Sequence, residues 1–146
     1  MTNSLSQGVV TALLTPCDAL GRPDLHALAE LIEFQVASGV VGLFVLGTAG
    51  QGPMLGHDER ARLLEQIVKV AAGRLQVISH VGALPTSTAV SLAKEAIAIG
   101  ADAIASVPPV YYQPNERAVD DYYRTIKEAA GDTPLLAYNN PPATGY

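Results

Sequence analysis

Ala37-Ser38-Gly39, followed by Gly42-Leu43-Phe44-Val45-Leu46, is the phrase that decides the fold, because the same phrase recurs along the chain. Ala71-Ala72-Gly73 precedes Leu75-Gln76-Val77-Ile78, Ala98-Ile99-Gly100 precedes Ala103-Ile104-Ala105-Ser106-Val107, and Ala129-Ala130-Gly131 precedes Leu135-Leu136-Ala137-Tyr138. A small residue and a glycine suit a helix C-terminus, where the chain turns through a left-handed conformation. The apolar run that follows suits a strand covered on both faces. The spacing of about 30 residues is that of one strand-helix unit.

The intervening segments carry helical periodicity. Leu28, Leu31, Ile32 and Val36 fall on one face, as do Leu63, Leu64, Ile67, Val68 and Ala71. Pro23-Asp24, Asp58-Glu59, Thr86 or Ser87, and Pro114-Asn115 mark the helix starts. With an opening strand over Val9 to Leu14, the pattern predicts five strands and four helices in an α/β fold. An open doubly wound sheet predicts a glycine fingerprint after the first strand, but Thr15-Pro16-Cys17-Asp18 stands there. Polar residues instead gather after every strand, as in a (β/α)8 TIM barrel, whose active site lies at the C-terminal strand ends. Such a barrel needs roughly 250 residues. Residues 1–146 are therefore expected to be the N-terminal portion of one barrel domain, apparently truncated after the fifth strand.

Composition narrows the function. Of 146 residues 49% are hydrophobic, and 9 Lys and Arg against 14 Asp and Glu leave a net charge of −5. That balance provides no positive field for nucleic acid or anionic lipid. The opening Met1 to Gln7 has neither the basic nor the apolar region of a signal peptide, and Cys17 is the single cysteine. A cytoplasmic protein outside the membrane is expected.

Three strand ends carry candidate chemistry. Gly47-Thr48-Ala49-Gly50-Gln51-Gly52 can aim successive backbone N–H groups at a carboxylate or phosphate, although a plain glycine-rich loop fits the spacing equally well. Val107-Pro108-Pro109-Val110-Tyr111-Tyr112 places two phenols on a stiff loop, either for proton relay or as rim and subunit contacts. Tyr138, at the end of the fifth strand, is a candidate acid or base, or a core residue with a hydrogen bond. His80 reads as a hydrogen-bonded rim residue and Cys17 as a packed thiol. No histidine or carboxylate cluster has ligand spacing, so neither a metal nor a cofactor is expected.

Taken together, Gly47-Thr48-Ala49-Gly50-Gln51, the Pro-Pro-Val-Tyr-Tyr loop and Tyr138-Asn139-x-Pro141-x-x-Thr144-Gly145 resemble the family of dihydrodipicolinate synthase and N-acetylneuraminate lyase. His80-Val81-Gly82 and Tyr122-Tyr123-Arg124 look closer to the neuraminate lyase branch. The resemblance implies a class I aldolase, a lyase that makes or breaks a carbon–carbon bond through a lysine Schiff base with pyruvate or another 2-oxo acid, with an aldehyde as partner substrate. It implies that Tyr138, Thr48 and Tyr111 are catalytic, the last lent by a neighbouring subunit in some members. It also implies that Gly47, Thr48 and Ala49 bind substrate, and that the protein is a homo-oligomer, a tetramer in the family. Ala49 and Gln51 depart from the usual Gly-Thr-Thr-Gly-Glu loop. Ala143 stands where dihydrodipicolinate synthase itself has an arginine for the aldehyde's carboxylate. Lys69, Lys94 and Lys127 all lie on helices, so the Schiff-base lysine is expected beyond Tyr146. The competing readings are an inactive half-barrel needing a partner chain, a dihydrodipicolinate-synthase-like enzyme, and a barrel binding phosphorylated ligands.

Overall fold

In the computed structural model, which describes residues 5–145, the recurring phrase becomes five parallel strands joined by helices. The strands are β1 (Val10–Ala12), β2 (Gly42–Val45), β3 (Gln76–His80), β4 (Ala103–Ser106) and β5 (Leu135–Ala137). They pair in the order β1-β2-β3-β4-β5, each with its neighbour in sequence. A doubly wound sheet reverses strand order at a switch point; this sheet never does, so it is an arc of a (β/α)8 barrel. Met1 to Ser4 and Tyr146 lie outside the described residues, and with them most of the opening segment read for a leader.

Helices α1 (Leu25–Ala37), α2 (His57–Ala71), α3 (Thr86–Ile99) and α4 (Glu116–Ala130) connect the strands. Each ends as the small-residue-glycine phrase predicts, with Gly39, Gly73, Gly100 and Gly131 all at positive φ. Asp24 caps α1 by accepting from the His26 and Ala27 amides, and Asn115 caps α4 by accepting from Ala118. In α2 the Glu59 carboxylate accepts from the Gly56 amide at 2.9 Å. Helix α3 starts at Thr86 as expected, but its cap residue is Pro85, which makes no side-chain bond, so Thr86 and Ser87 lie inside the first turn and do not cap it. The opening strand is also shorter than Val9 to Leu14. A short α5 (Pro141–Thr144) follows β5 as a further element the pattern did not predict.

Strand parity sorts the side chains. Successive residues of a strand point to opposite faces, and the register pairs Phe44 with Ile78, Ile78 with Ala103, His80 with Ala105, and Ala105 with Leu136. Those residues line the barrel interior, where Ile78, Ala103 and Ala105 form a small cluster with Phe44 and Leu136. The alternate set, including Leu43, Val45, Val77 and Ile104, packs outward against Leu28, Ile32, Leu63, Ile67, Leu92 and Ile126 of the helices. Two steps beyond Leu136, Tyr138 keeps the interior parity.

Cys17 corrects an expectation: its thiol is exposed. The loop after β1 is tied to itself by Asp18, whose carboxylate accepts from the Leu20 and Arg22 amides and from the Arg22 guanidinium, leaving Cys17 on the solvent side of a small turn. The Arg22 contacts hold the Asp18 carboxyl below its ordinary range.

Candidate active site

The β2–α2 loop folds tightly because its glycines leave no room for side chains. A Cβ on Gly47 would lie 2.4 Å from the Phe44 ring, and one on Gly52 would lie 1.8 Å from the Leu46 carbonyl oxygen. The Gln51 and Gly52 amides close the loop on the Thr48 and Gly47 carbonyls. Thr15 Oγ1 donates to the Gly50 carbonyl at 2.6 Å, anchoring the loop to the segment after β1. Thr48 and Ala49 are exposed, and their backbone N–H groups have no partner among the described residues. These free donors are what an anion-binding turn requires.

Thr48 and Tyr138, 90 residues apart in sequence, meet at the mouth of the arc, with Thr48 Oγ1 3.5 Å from Tyr138 Oη. Asn140 joins them, its Nδ2 donating to Tyr138 Oη at 3.3 Å and to Thr48 Oγ1 at 3.5 Å. The Tyr138 ring is held edge-on by Phe44, with centroids 5.2 Å apart, and by His80, at 6.1 Å. A phenol held on two sides by rings, with its oxygen at the strand end, has the fixed orientation proton transfer needs.

Tyr111 lies elsewhere. It is 84% exposed on the β4–α4 loop, packs against Tyr112 and hydrogen-bonds to neither Thr48 nor Tyr138. Its φ of +78° is unusual for a bulky residue, and such strain of roughly 1–3 kcal/mol clusters at functional positions.

His80 is not a rim residue: it is 2% exposed, inside the arc. Its Nε2 accepts from the Val107 amide at 3.4 Å, so the neutral ring carries its proton on Nδ1. The Leu46 backbone faces the ring, but its alignment falls short of a full hydrogen bond and Nδ1 stays unpartnered. Burial, and then the nearby Arg60 charge, push the His80 pKa down from 6.5 to about 4. Arg60, which the sequence reading missed, is buried and donates to the His80 carbonyl. Its place on the apolar face, four residues before Leu64 and seven before Ile67, was the available signal. Tyr122 also lies buried, its hydroxyl 2.9 Å from Ser106 Oγ, and Tyr123 donates to the Ser106 carbonyl at 2.8 Å. Desolvation raises the phenol of Tyr122 and pushes that of Tyr123 up to about 12, which fits both for packing and against ionisation. Among the described residues no group of three or more His, Cys, Asp or Glu is placed to hold a metal, and no helix is long and apolar enough to cross a membrane.

The model of the Dihydrodipicolinate synthetase family matches residues 5–146. A 4-hydroxy-tetrahydrodipicolinate synthase of Gluconacetobacter diazotrophicus is 36% identical over 141 residues, covering 97% of this chain and 47% of that protein. A catalytic-lysine mutant of Ruminococcus gnavus sialic acid aldolase superposes with a TM-score of 0.90 at 34% identity, over 95% of this chain and 46% of that one. YagE, a prophage protein of the dihydrodipicolinic acid synthase family from E. coli K12 in complex with pyruvate, superposes at 0.92 with 28% identity, over 97% and 47%. The chain thus spans about half the length of the curated relatives it matches.

Proposed function

The chain belongs to the dihydrodipicolinate synthetase family, and from that premise we propose that it supplies the acid–base half of a lyase acting on a 2-oxo acid such as pyruvate. The observation that carries this reading is the Thr48–Tyr138 contact across the ends of β2 and β5. In the proposed reaction a lysine from beyond Tyr146 condenses with the 2-oxo acid, releasing water, and the imine takes up the electron pair of the carbon–carbon bond when that bond breaks, or supplies it as the enamine when the bond forms. The free N–H groups of the Gly47-Thr48-Ala49 segment hold the substrate carboxylate. Tyr138 transfers the proton, with Thr48 as its relay. Tyr111, strained and turned away from its own chain's site, reaches the site of a neighbouring copy in a homo-oligomer. No cofactor enters, since the protonated imine is itself the electron sink.

The second substrate is an aldehyde or a sugar-acid fragment. Ala143 offers no cation for an aldehyde's carboxylate, and His80-Val81-Gly82 and Tyr122-Tyr123-Arg124 resemble the neuraminate lyase branch. The names of the curated relatives favour a second reading, 4-hydroxy-tetrahydrodipicolinate synthesis.

Tyr138→Phe in the whole protein tests the assignment. Loss of a positioned acid or base lowers kcat about 10²–10⁴-fold. Loss of one hydrogen bond costs roughly 1 kcal/mol, several-fold in rate. Turnover within a few-fold of the parent, with folding confirmed by thermal melting, would show Tyr138 to be structural.

A further inference from the structure

Asn140 was not among the sequence candidates, yet its side chain touches both hydroxyls of the proposed relay. It lies two residues beyond Tyr138, as the cap residue of α5. Its backbone is also fixed, because the carbonyl accepts from the Ala143 and Thr144 amides, each at 3.0 Å, at the start of α5. The amide Nδ2 stands 3.3 Å from Tyr138 Oη and 3.5 Å from Thr48 Oγ1, while those two oxygens stand 3.5 Å apart.

The protons of this triangle have few places to point. The triangle has three edges and four protons: two on the Asn140 amide and one on each hydroxyl. Nδ2 only donates, so both oxygens accept on the side that faces Asn140 and neither hydroxyl can point its own proton there. One hydroxyl proton fills the Thr48–Tyr138 edge. The other has no acceptor left inside the triangle.

We propose that Asn140 is a positioning residue that turns the hydroxyl protons of Thr48 and Tyr138 away from itself, so that the proton not used between the two oxygens is presented to a ligand oxygen at the mouth of the arc. The class of ligand is an oxyanion: a carboxylate, or the oxygen of a keto or enolate group. Its identification as a 2-oxo acid rests on the proposed function, whereas the direction of the proton does not. An aspartate at position 140 would reverse the device, because both hydroxyls would turn inward to donate to the carboxylate. A leucine would remove the donor and leave both hydroxyls free to rotate.

Ultraviolet resonance Raman spectra of the whole protein test the triangle directly, with Tyr138 isolated by subtracting the Tyr138→Phe spectrum. The intensity ratio of the tyrosine ring doublet rises when the phenol oxygen accepts and falls when the hydroxyl only donates. The parent is expected to show an accepting phenol, Asn140→Leu a lower ratio, and Asn140→Asp the lowest, with circular dichroism unchanged. The same ratio in all three proteins, or a donor-only phenol in the parent, would overturn the proposal. In the whole protein, Asn140→Asp is expected to lower kcat with pyruvate and an aldehyde by about 10²-fold, the scale of one lost oxyanion donor, and Asn140→Leu by less. Retained turnover in Asn140→Asp where Tyr138→Phe abolishes it would refute the positioning role and leave the lyase reading standing. The Raman series as expected, with turnover indifferent to Tyr138, would refute the lyase reading and leave the triangle standing.

Discussion

Replacing His80 by leucine should remove a pH-dependent part of the stability whose size follows from its surroundings. The imidazole is buried between Phe44 and Tyr138, faces the Arg60 charge, and uses Nε2 as an acceptor for the Val107 amide. All three features oppose a second proton, and they hold the pKa at about 4 against an ordinary 6.5. Because the folded value is depressed, the unfolded chain binds the proton first. The contribution is complete above pH 6.5, declines as the pH falls and is gone below about 4, a total of ~3 kcal/mol between the two protonation states. Urea unfolding at fixed protein concentration, repeated from pH 7 to 4.5, should show a slope in the parent approaching ~1.4 kcal/mol per pH unit from this one group. His80→Leu should flatten it, whatever its stability at pH 7. His80→Asn, whose amide oxygen can still accept from Val107, serves if the leucine variant folds poorly. The exposed pairs Asp18–Arg22 and Glu33–Arg74 lower the pKa of their carboxyls, so their losses come at the acid end of the range or below it. An unchanged slope in both variants would mean that His80 is solvated and that the packing around it is wrongly described.

Two further outcomes follow from the fold. Asp24→Ala removes the acceptor for the His26 and Ala27 amides and should lower stability by about 1 kcal/mol in the same urea assay, whereas no change would show the α1 cap to be idle. The outer edges of β1 and β5 have no strand partner among the described residues, and Val9, Leu14, Met54 and Tyr111 are exposed, so the 146-residue chain should self-associate in sedimentation velocity, while a compact monomer would contradict this.

The helix ends were legible because left-handed backbone strongly selects glycine, and the strand order because consecutive βα units pair with their neighbours. Parity could also have turned His80 inward. The rim assignment failed because a titratable residue at a strand end looks solvent-facing until the strand is known to continue the interior ladder. Arg60 was hidden by its charge: a cation among Leu63, Leu64 and Ile67 reads as surface until its guanidinium is seen on the His80 carbonyl. Thr48 and Tyr138 were each visible as strand-end residues, but nothing in spacing says that residues 90 positions apart touch. Asn140 was passed over inside a motif recognised for its neighbours, because the role of an amide depends on which atoms it reaches. Cys17 was misplaced because the local ties of Asp18, which turn the loop outward, have no periodic signature.

Under the proposed function this segment supplies the acid–base groups and the carboxylate cradle, and the Schiff-base lysine is contributed from beyond Tyr146. Borohydride reduction in the presence of pyruvate, followed by peptide mass spectrometry, tests this most directly. The account predicts a saturable pyruvate-sized adduct on a lysine beyond Tyr146 in the whole protein, and none in the 146-residue chain. A saturable adduct on Lys69, Lys94 or Lys127, or the absence of any adduct from the whole protein, would contradict it.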